Sequence, residues 1–107
     1  MAYDEDLAER IREHLSGEPG VEEKKMFGGL AFLIGGNVAV AASGQGGMLV
    51  RVDPGESDRL LETTSAELME MRGRSMRGWL RVDPEPEEVA EWVKRGAAYA
   101  RSLPPKD

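Results

Sequence analysis

The chain contains no cysteine. That excludes disulfides and thiolate-held metal, and it fits a reducing compartment. It has a single histidine, His14. A general base needs a nucleophile and an orienting acid beside it. His14 instead lies between Glu13 and Leu15 on an acid-rich helical stretch, which marks a surface or half-buried residue. No His, Asp or Glu cluster shows metal-ligand spacing, so neither a metal nor a cofactor is expected. Long apolar runs are missing too. The richest, Leu30 to Ala42, is interrupted by Gly35, Gly36 and Asn37 and falls far short of a membrane span. The N-terminus, Met1-Ala2-Tyr3-Asp4-Glu5-Asp6, is acidic where a secretory leader would be basic and then apolar. A cytoplasmic location is the expectation.

Basic residues are in deficit. Fourteen Lys and Arg face twenty Asp and Glu, a formal net charge of −6. Such a charge repels phosphate backbones and counts against a general nucleic-acid binder. The deficit is uneven. Residues 1–23 hold eight acids and two bases, whereas residues 72–82 hold four arginines and no acid. The 107 residues suffice for one domain with one core, residues 1–107, with residues 102–107 expected to fray.

Periodicity supplies the elements. Leu7, Ile11 and Leu15, with Ala8 beside them, form one stripe of a helix over residues 4–15, and Asp4, Glu5 and Asp6 suit its positive end. Gly17, Pro19 and Gly20 stop it. One strand is expected through residues 24–34, bent at Gly28-Gly29. Gly35-Gly36-Asn37 closes a hairpin onto a strand at residues 38–42. Ser43 to Gly47 is a loop, and residues 48–52 form the third strand. Asp53 then reads as an N-cap, Pro54 as the first helical residue and Glu56 as a capping-box acid, for a helix to about residue 62 carrying Leu60 and Leu61 inward. Residues 68–71 and 78–82 read as strands four and five. Arg81-Val82-Asp83-Pro84 echoes Arg51-Val52-Asp53-Pro54, predicting a second strand end leading into a capped helix. That last helix spans about residues 85–102. Val89, Trp92, Val93, Gly96, Tyr99, Ala100 and Leu103 mark its buried stripe, and Gly96 admits a close backbone neighbour. The expected fold is α+β, a two-layer sandwich in the order α-β-β-β-α-β-β-α, with a mainly antiparallel five-stranded sheet and helices on one face.

The run Lys25-Met26-Phe27-Gly28-Gly29-Leu30-Ala31-Phe32, then Gly36 to Val40, Leu49 to Asp53, Met71 to Trp79 and the closing helix from Trp92 to Leu103, resembles the N-terminal domain of the TfoX/Sxy family, in a stand-alone version similar to actinobacterial ones. The match covers nearly the whole chain, and Met26, Phe27, Gly28 and Gly29 are its structural motif. The resemblance implies a two-layer α/β fold of the kind seen in secretion chaperones. It also implies a bacterial regulatory role: founding members promote competence for DNA uptake with the cyclic-AMP receptor protein at promoters. Those members carry a second, helical C-terminal domain, and this sequence is expected to stop after the first. The family brings no catalytic residues with it.

The residues leave three functions open. The leading one is a non-catalytic regulatory domain that binds a protein, a regulator or a second copy of itself. Open sheet edges must be covered, charged or paired, and pairing through a twofold axis would give a homodimer. Met26, Met48, Met69, Met71 and Met76 are adaptable apolar contacts, for the core first and a partner second. The second is nucleic-acid or phosphate binding through Arg72, Arg74, Arg77 and Arg81, joined by Lys24 and Lys25, with Trp79 stacking on a base or beneath a cation. The plain alternative is that these arginines are solvated or paired with acids while Trp79 is core. Period-two alternation puts Trp79 and Arg81 on one strand face, so the two cannot be divided between core and surface. The third is a small-molecule binder or enzyme using a cleft by Gly28-Gly29 and Gly44 to Gly47. That loop could cradle an anion on its N–H groups, but it lacks the Lys-Ser/Thr of a phosphate loop.

Overall fold

A computed structural model of the chain describes residues 3–26, 28–44, 46–64, 66–71 and 73–104; of residue 71 and residues 74–77 it describes only the main chain. Among the described residues, three helices, one 3-10 turn and six strands follow in the order α1 (Glu5–His14), β1 (Val21–Met26), β2 (Gly29–Ile34), β3 (Asn37–Ala42), β4 (Met48–Arg51), α2 (Pro54–Thr63), β5 (Glu67–Met71), β6 (Arg74–Val82), the 3-10 turn Pro86–Glu88, and α3 (Val89–Ser102). The strands form one sheet in the order β1-β2-β3-β4-β6-β5, every neighbouring pair antiparallel. The α+β reading holds, with six strands rather than five.

The extra strand arises at Gly28-Gly29. Met26 pairs with Gly29 and Val21 with Ile34, so the chain reverses there instead of bending. Gly28 has φ 71°, the conformation a tight reversal requires. Phe27 lies outside the described residues. At the next hairpin Gly35 and Gly36 have φ 60° and 83°, which only glycine adopts freely twice in succession.

Pleating divides the sheet into two faces. Leu30, Phe32 and Ile34 of β2 look toward the helices, as do Val40 and Ala42 of β3, Met48 and Val50 of β4, and Leu80 and Val82 of β6. They form the main core with Ala8, Ile11 and Leu15 of the α1 region, Leu60 of α2, and Val89, Trp92, Val93, Ala97 and Ala100 of α3. The register of β2 against β3 slips between Phe32 and Leu33, leaving Ala39 as an extra residue that joins Val40 on the helix side. There α3 presses down. A Cβ on Gly96 would stand only 2.3 Å from the Ala39 carbonyl oxygen.

Caps fix the helix starts. The Asp4 carboxylate accepts from Asp6 N at 3.0 Å and Leu7 N at 3.2 Å. Asp53 accepts from Gly55 N at 2.8 Å, with Pro54 first in α2 as expected. Glu56 lies 3.5 Å from Arg59. The echo at Asp83-Pro84 behaves differently. Glu85 precedes Pro86 and is held extended at φ −67°, ψ 156°, so helical structure starts only at Pro86. The 3-10 turn is tied by Glu88 Oε1 accepting from Glu85 N at 2.8 Å. At the other end, Pro104 is held where fraying was expected: its carbonyl accepts from buried Asn37 Nδ2 at 3.0 Å.

Candidate interaction surface

The second face of the sheet carries its own apolar cluster. Ala31 and Leu33 of β2, Val38 and Ala41 of β3, Leu49 of β4 and Met69 of β5 are buried together, with Met26 and Trp79 half-buried against them. Among the described residues no helix contributes to this cluster. Met69 and Met26 come from the strands at opposite borders of the sheet, so the outer strands help to close this side where a second helical layer would otherwise be needed.

Trp79 sits beside an irregularity in β6. Leu80 pairs with Leu68, but the next pair is Met76 with Met69, so residues 77–79 bulge out of the β5 ladder. Gly78 has φ 86°, its carbonyl accepts from Val52 N at 2.8 Å, and a Cβ there would meet Val52 O and Pro54 Cγ, each at 3.1 Å. A side chain at position 78 would therefore be both strained and crowded. The bulge leaves Trp79 directly opposite Arg51 at the end of β4. The Arg51 guanidinium stands 5.3 Å from the Trp79 ring and 5.6 Å from the Tyr99 ring. Each such contact contributes about 0.5–1 kcal/mol at an exposed site.

Of the residues expected to form a basic patch, Arg81 and Trp79 do share a face, and neither side of the core-or-surface alternative describes them. Both are half-buried. Arg81 lies opposite Leu49 on one side and Glu67 on the other. The main chain places Arg74 opposite Met71 of β5 and Arg77 in the bulge, both in the part of β6 that extends beyond β4. Arg72 lies outside the described residues. Lys24 and Lys25 do not join this group. They are on β1, with β2, β3 and β4 between them and β6, roughly 19 Å away along the sheet. By pleat they also point to opposite faces: Lys24 pairs with Ala31, Lys25 with Leu30. Sequence reasoning overlooked Arg51. The signal was the Arg-Val-Asp-Pro echo, whose two arginines both fall on the helix-free face while Val52 and Val82 enter the main core.

At the expected glycine cleft, main chain packs directly on main chain between Gly28-Gly29 and Gly44. Gly28-Gly29 and Gly44 lie so close that a Cβ on Gly44 would be 2.1 Å from Gly28 O, and one on Gly29 would be 1.9 Å from Ala42 O. The loop is closed by Ser43 N donating to Gly47 O at 3.0 Å and Gly46 N to Ser43 O at 3.1 Å. Hollows occur elsewhere. One of about 420 Å³, where α2, the end of β6 and the start of α3 meet, has Asp83, Glu87, Glu88, Glu91, Trp92 and Arg95 in its walls. Arg95 covers the Trp92 ring at 5.0 Å and lies 3.6 Å from Glu91. A smaller one of about 290 Å³ runs between the end of α1 and α3 beside exposed His14. No group of acids and histidines suited to hold a metal ion occurs among the described residues.

Electrostatics concentrate at the opposite border. Arg12 on α1 forks onto Glu23 of β1, with Nε–Oε2 at 2.8 Å and Nη2–Oε1 at 3.0 Å, and also pairs with Glu9. The hydrogen bonds from Arg12 hold the Glu23 carboxyl below its ordinary value of 4.5, and the two acids raise the Arg12 guanidinium further. Arg101 on α3 similarly pairs with Glu18.

A family model described as the TfoX N-terminal domain matches residues 13–101. The chain belongs to the TfoX N-terminal domain family. The match runs from the end of α1 nearly to the end of α3, so it takes in the whole sheet and the Trp79–Arg51 contact of this TfoX domain. No curated protein and no solved structure matches the chain. Among the described residues of this TfoX domain, no helix is long and apolar enough to cross a membrane.

Proposed function

We propose that this TfoX domain is a non-catalytic regulatory module that works by binding another protein, in the family's setting of transcription and competence control. The observation that carries the reading is half-buried Trp79 under Arg51, at the end of β4 where Tyr99 of α3 also meets the guanidinium, with Arg81 on the Trp79 side of the sheet. Tryptophan and arginine over an apolar centre are the residue types that dominate protein–protein affinity. The test uses the full chain as bait and compares it with Trp79→Ala, after circular dichroism shows both folded. A protein retained by the first and lost by the second is the expected result. Equal retention by both would overturn this use of the face.

Nucleic acid is the second reading. It is favoured by Arg51, Trp79 and Arg81 sharing one face, since stacking beside arginine suits single strands. It requires affinity that falls steeply with salt and with Arg77→Glu. Unchanged mobility of DNA and RNA at low salt removes it.

A further inference from the structure

The β1 strand is a sheet border of an unusual composition. It ends the strand order, and its six residues are half-buried or exposed along their whole length. Its outer main-chain groups are the kind of template that another strand can join. Its side chains run Glu22-Glu23-Lys24-Lys25, an acidic block followed by a basic block. Reversal of such a strand brings an acid opposite a base two residues along, on either side of a central residue that faces its own copy.

From this edge we infer that β1 is a self-association surface, whose partner is a second copy of the chain added antiparallel about a twofold axis. Symmetry restricts the register. A twofold axis that joins two antiparallel edge strands into one sheet stands perpendicular to that sheet, so residues facing each other must come from the same face. Glu22, Lys24 and Met26 belong to the helix-free face, and Val21, Glu23 and Lys25 to the helix side. Two central registers satisfy this. With Lys24 on the axis, Glu23 faces the second copy's Lys25 twice over, but the two central ammonium groups meet with no acid among the described residues engaging them. With Glu23 on the axis, Glu22 faces the second copy's Lys24 twice over, and the two central carboxylates are each already engaged by Arg12 of their own chain. The Arg12 fork therefore selects the second register, since it offsets the one like-charge pair that this register creates. The joined sheet would run through both copies, with each face continuing across the axis.

This deepens the partner-binding reading by naming a second copy as one partner, and it uses a border distant from Trp79. Loss of self-association would leave Trp79-dependent capture untouched, so the two can fail separately.

The experiment is sedimentation of the full chain over a dilution series, with Lys24→Glu, Glu22→Lys and an equimolar mixture of the two. Both substitutions fall on side chains at the exposed border, so folding is preserved, and circular dichroism checks it. The wild-type chain dimerises. Each variant alone turns two attractive cross-strand pairs into repulsive ones and dimerises at least about tenfold more weakly. The mixture recovers a dimer, because one chain then presents two acids and the other two bases at these positions. A wild-type chain that stays monomeric throughout the series, a variant that dimerises as tightly as wild type, or a mixture that recovers nothing would each overturn the inference.

Discussion

Replacing Gly96 by alanine sets two physical effects against each other. Within a helix the change should help, since alanine is favoured over glycine by about 1 kcal/mol. Here the added methyl would lie 2.3 Å from Ala39 O and 2.7 Å from Val40 Cγ1. Ordinary contact begins at 3.4 Å, so α3 would have to withdraw by about 1 Å. The obstacle is a main-chain carbonyl at the β3 bulge, beside Val40, which is paired to β2 and β4, and a main-chain atom cannot swing aside as the end of a side chain can. Withdrawal also loosens Val89, Trp92, Val93 and Ala100, which α3 buries against the sheet. Overpacking costs of about 1–3 kcal/mol, and more where main chain blocks relief, outweigh the propensity gain. The expected net loss is roughly 2 kcal/mol, which for a domain of this size lowers the melting temperature by roughly 10 °C. Urea denaturation measures it, with Gly17→Ala as the control, because a Cβ on Gly17 meets nothing within 4 Å. The control should stay within about 0.5 kcal/mol of wild type. A Gly96→Ala chain as stable as the wild type would refute the close-approach argument.

Asp53→Ala removes the carboxylate that accepts from Gly55 N, and should cost about 1 kcal/mol in urea midpoint-derived stability. Phe32→Ala empties a fully buried site in the main core, with an expected loss of about 3–5 kcal/mol by the same assay. Glu23 has its carboxyl held low by Arg12, so its contribution is present in full above the ordinary value of 4.5 and disappears as pH falls through the lowered folded value. Glu23→Gln should therefore be less stable than wild type at neutral pH, with the gap closing in acid; a gap that widens below pH 4.5 would contradict the sign. Because the pair is exposed and screened, the gap should also shrink in high salt.

Helices and their faces were legible because their signals are local. The stripe Ala8, Ile11 and Leu15, the Asp53-Pro54 cap and the Val89–Trp92–Val93–Gly96–Ala100 face all follow from 3.6-residue spacing and capping chemistry, while Leu7, Tyr99 and Leu103, expected in the same stripes, are only half-buried. The hairpin at Gly35-Gly36 was equally plain, since few residues other than glycine tolerate two positive φ values in a row. β1 was half-hidden for a physical reason. Both faces of that border strand are solvated, so Glu22 to Lys25 show no apolar alternation, and Gly28-Gly29 looked like a bend within one strand.

The sequence by itself determined the class of fold, the placement of the helices and the stripes they bury, because burial of one helical stripe is written into spacing. Only the tertiary structure decided what the remaining face became. Whether Trp79 joined core or surface depended on the bulge at Gly78 and on the strand order that brings Arg51 opposite it. Whether Lys24 joined the arginines depended on three intervening strands. Strand order and register are set by contacts between residues far apart in the chain, and no local period carries that information.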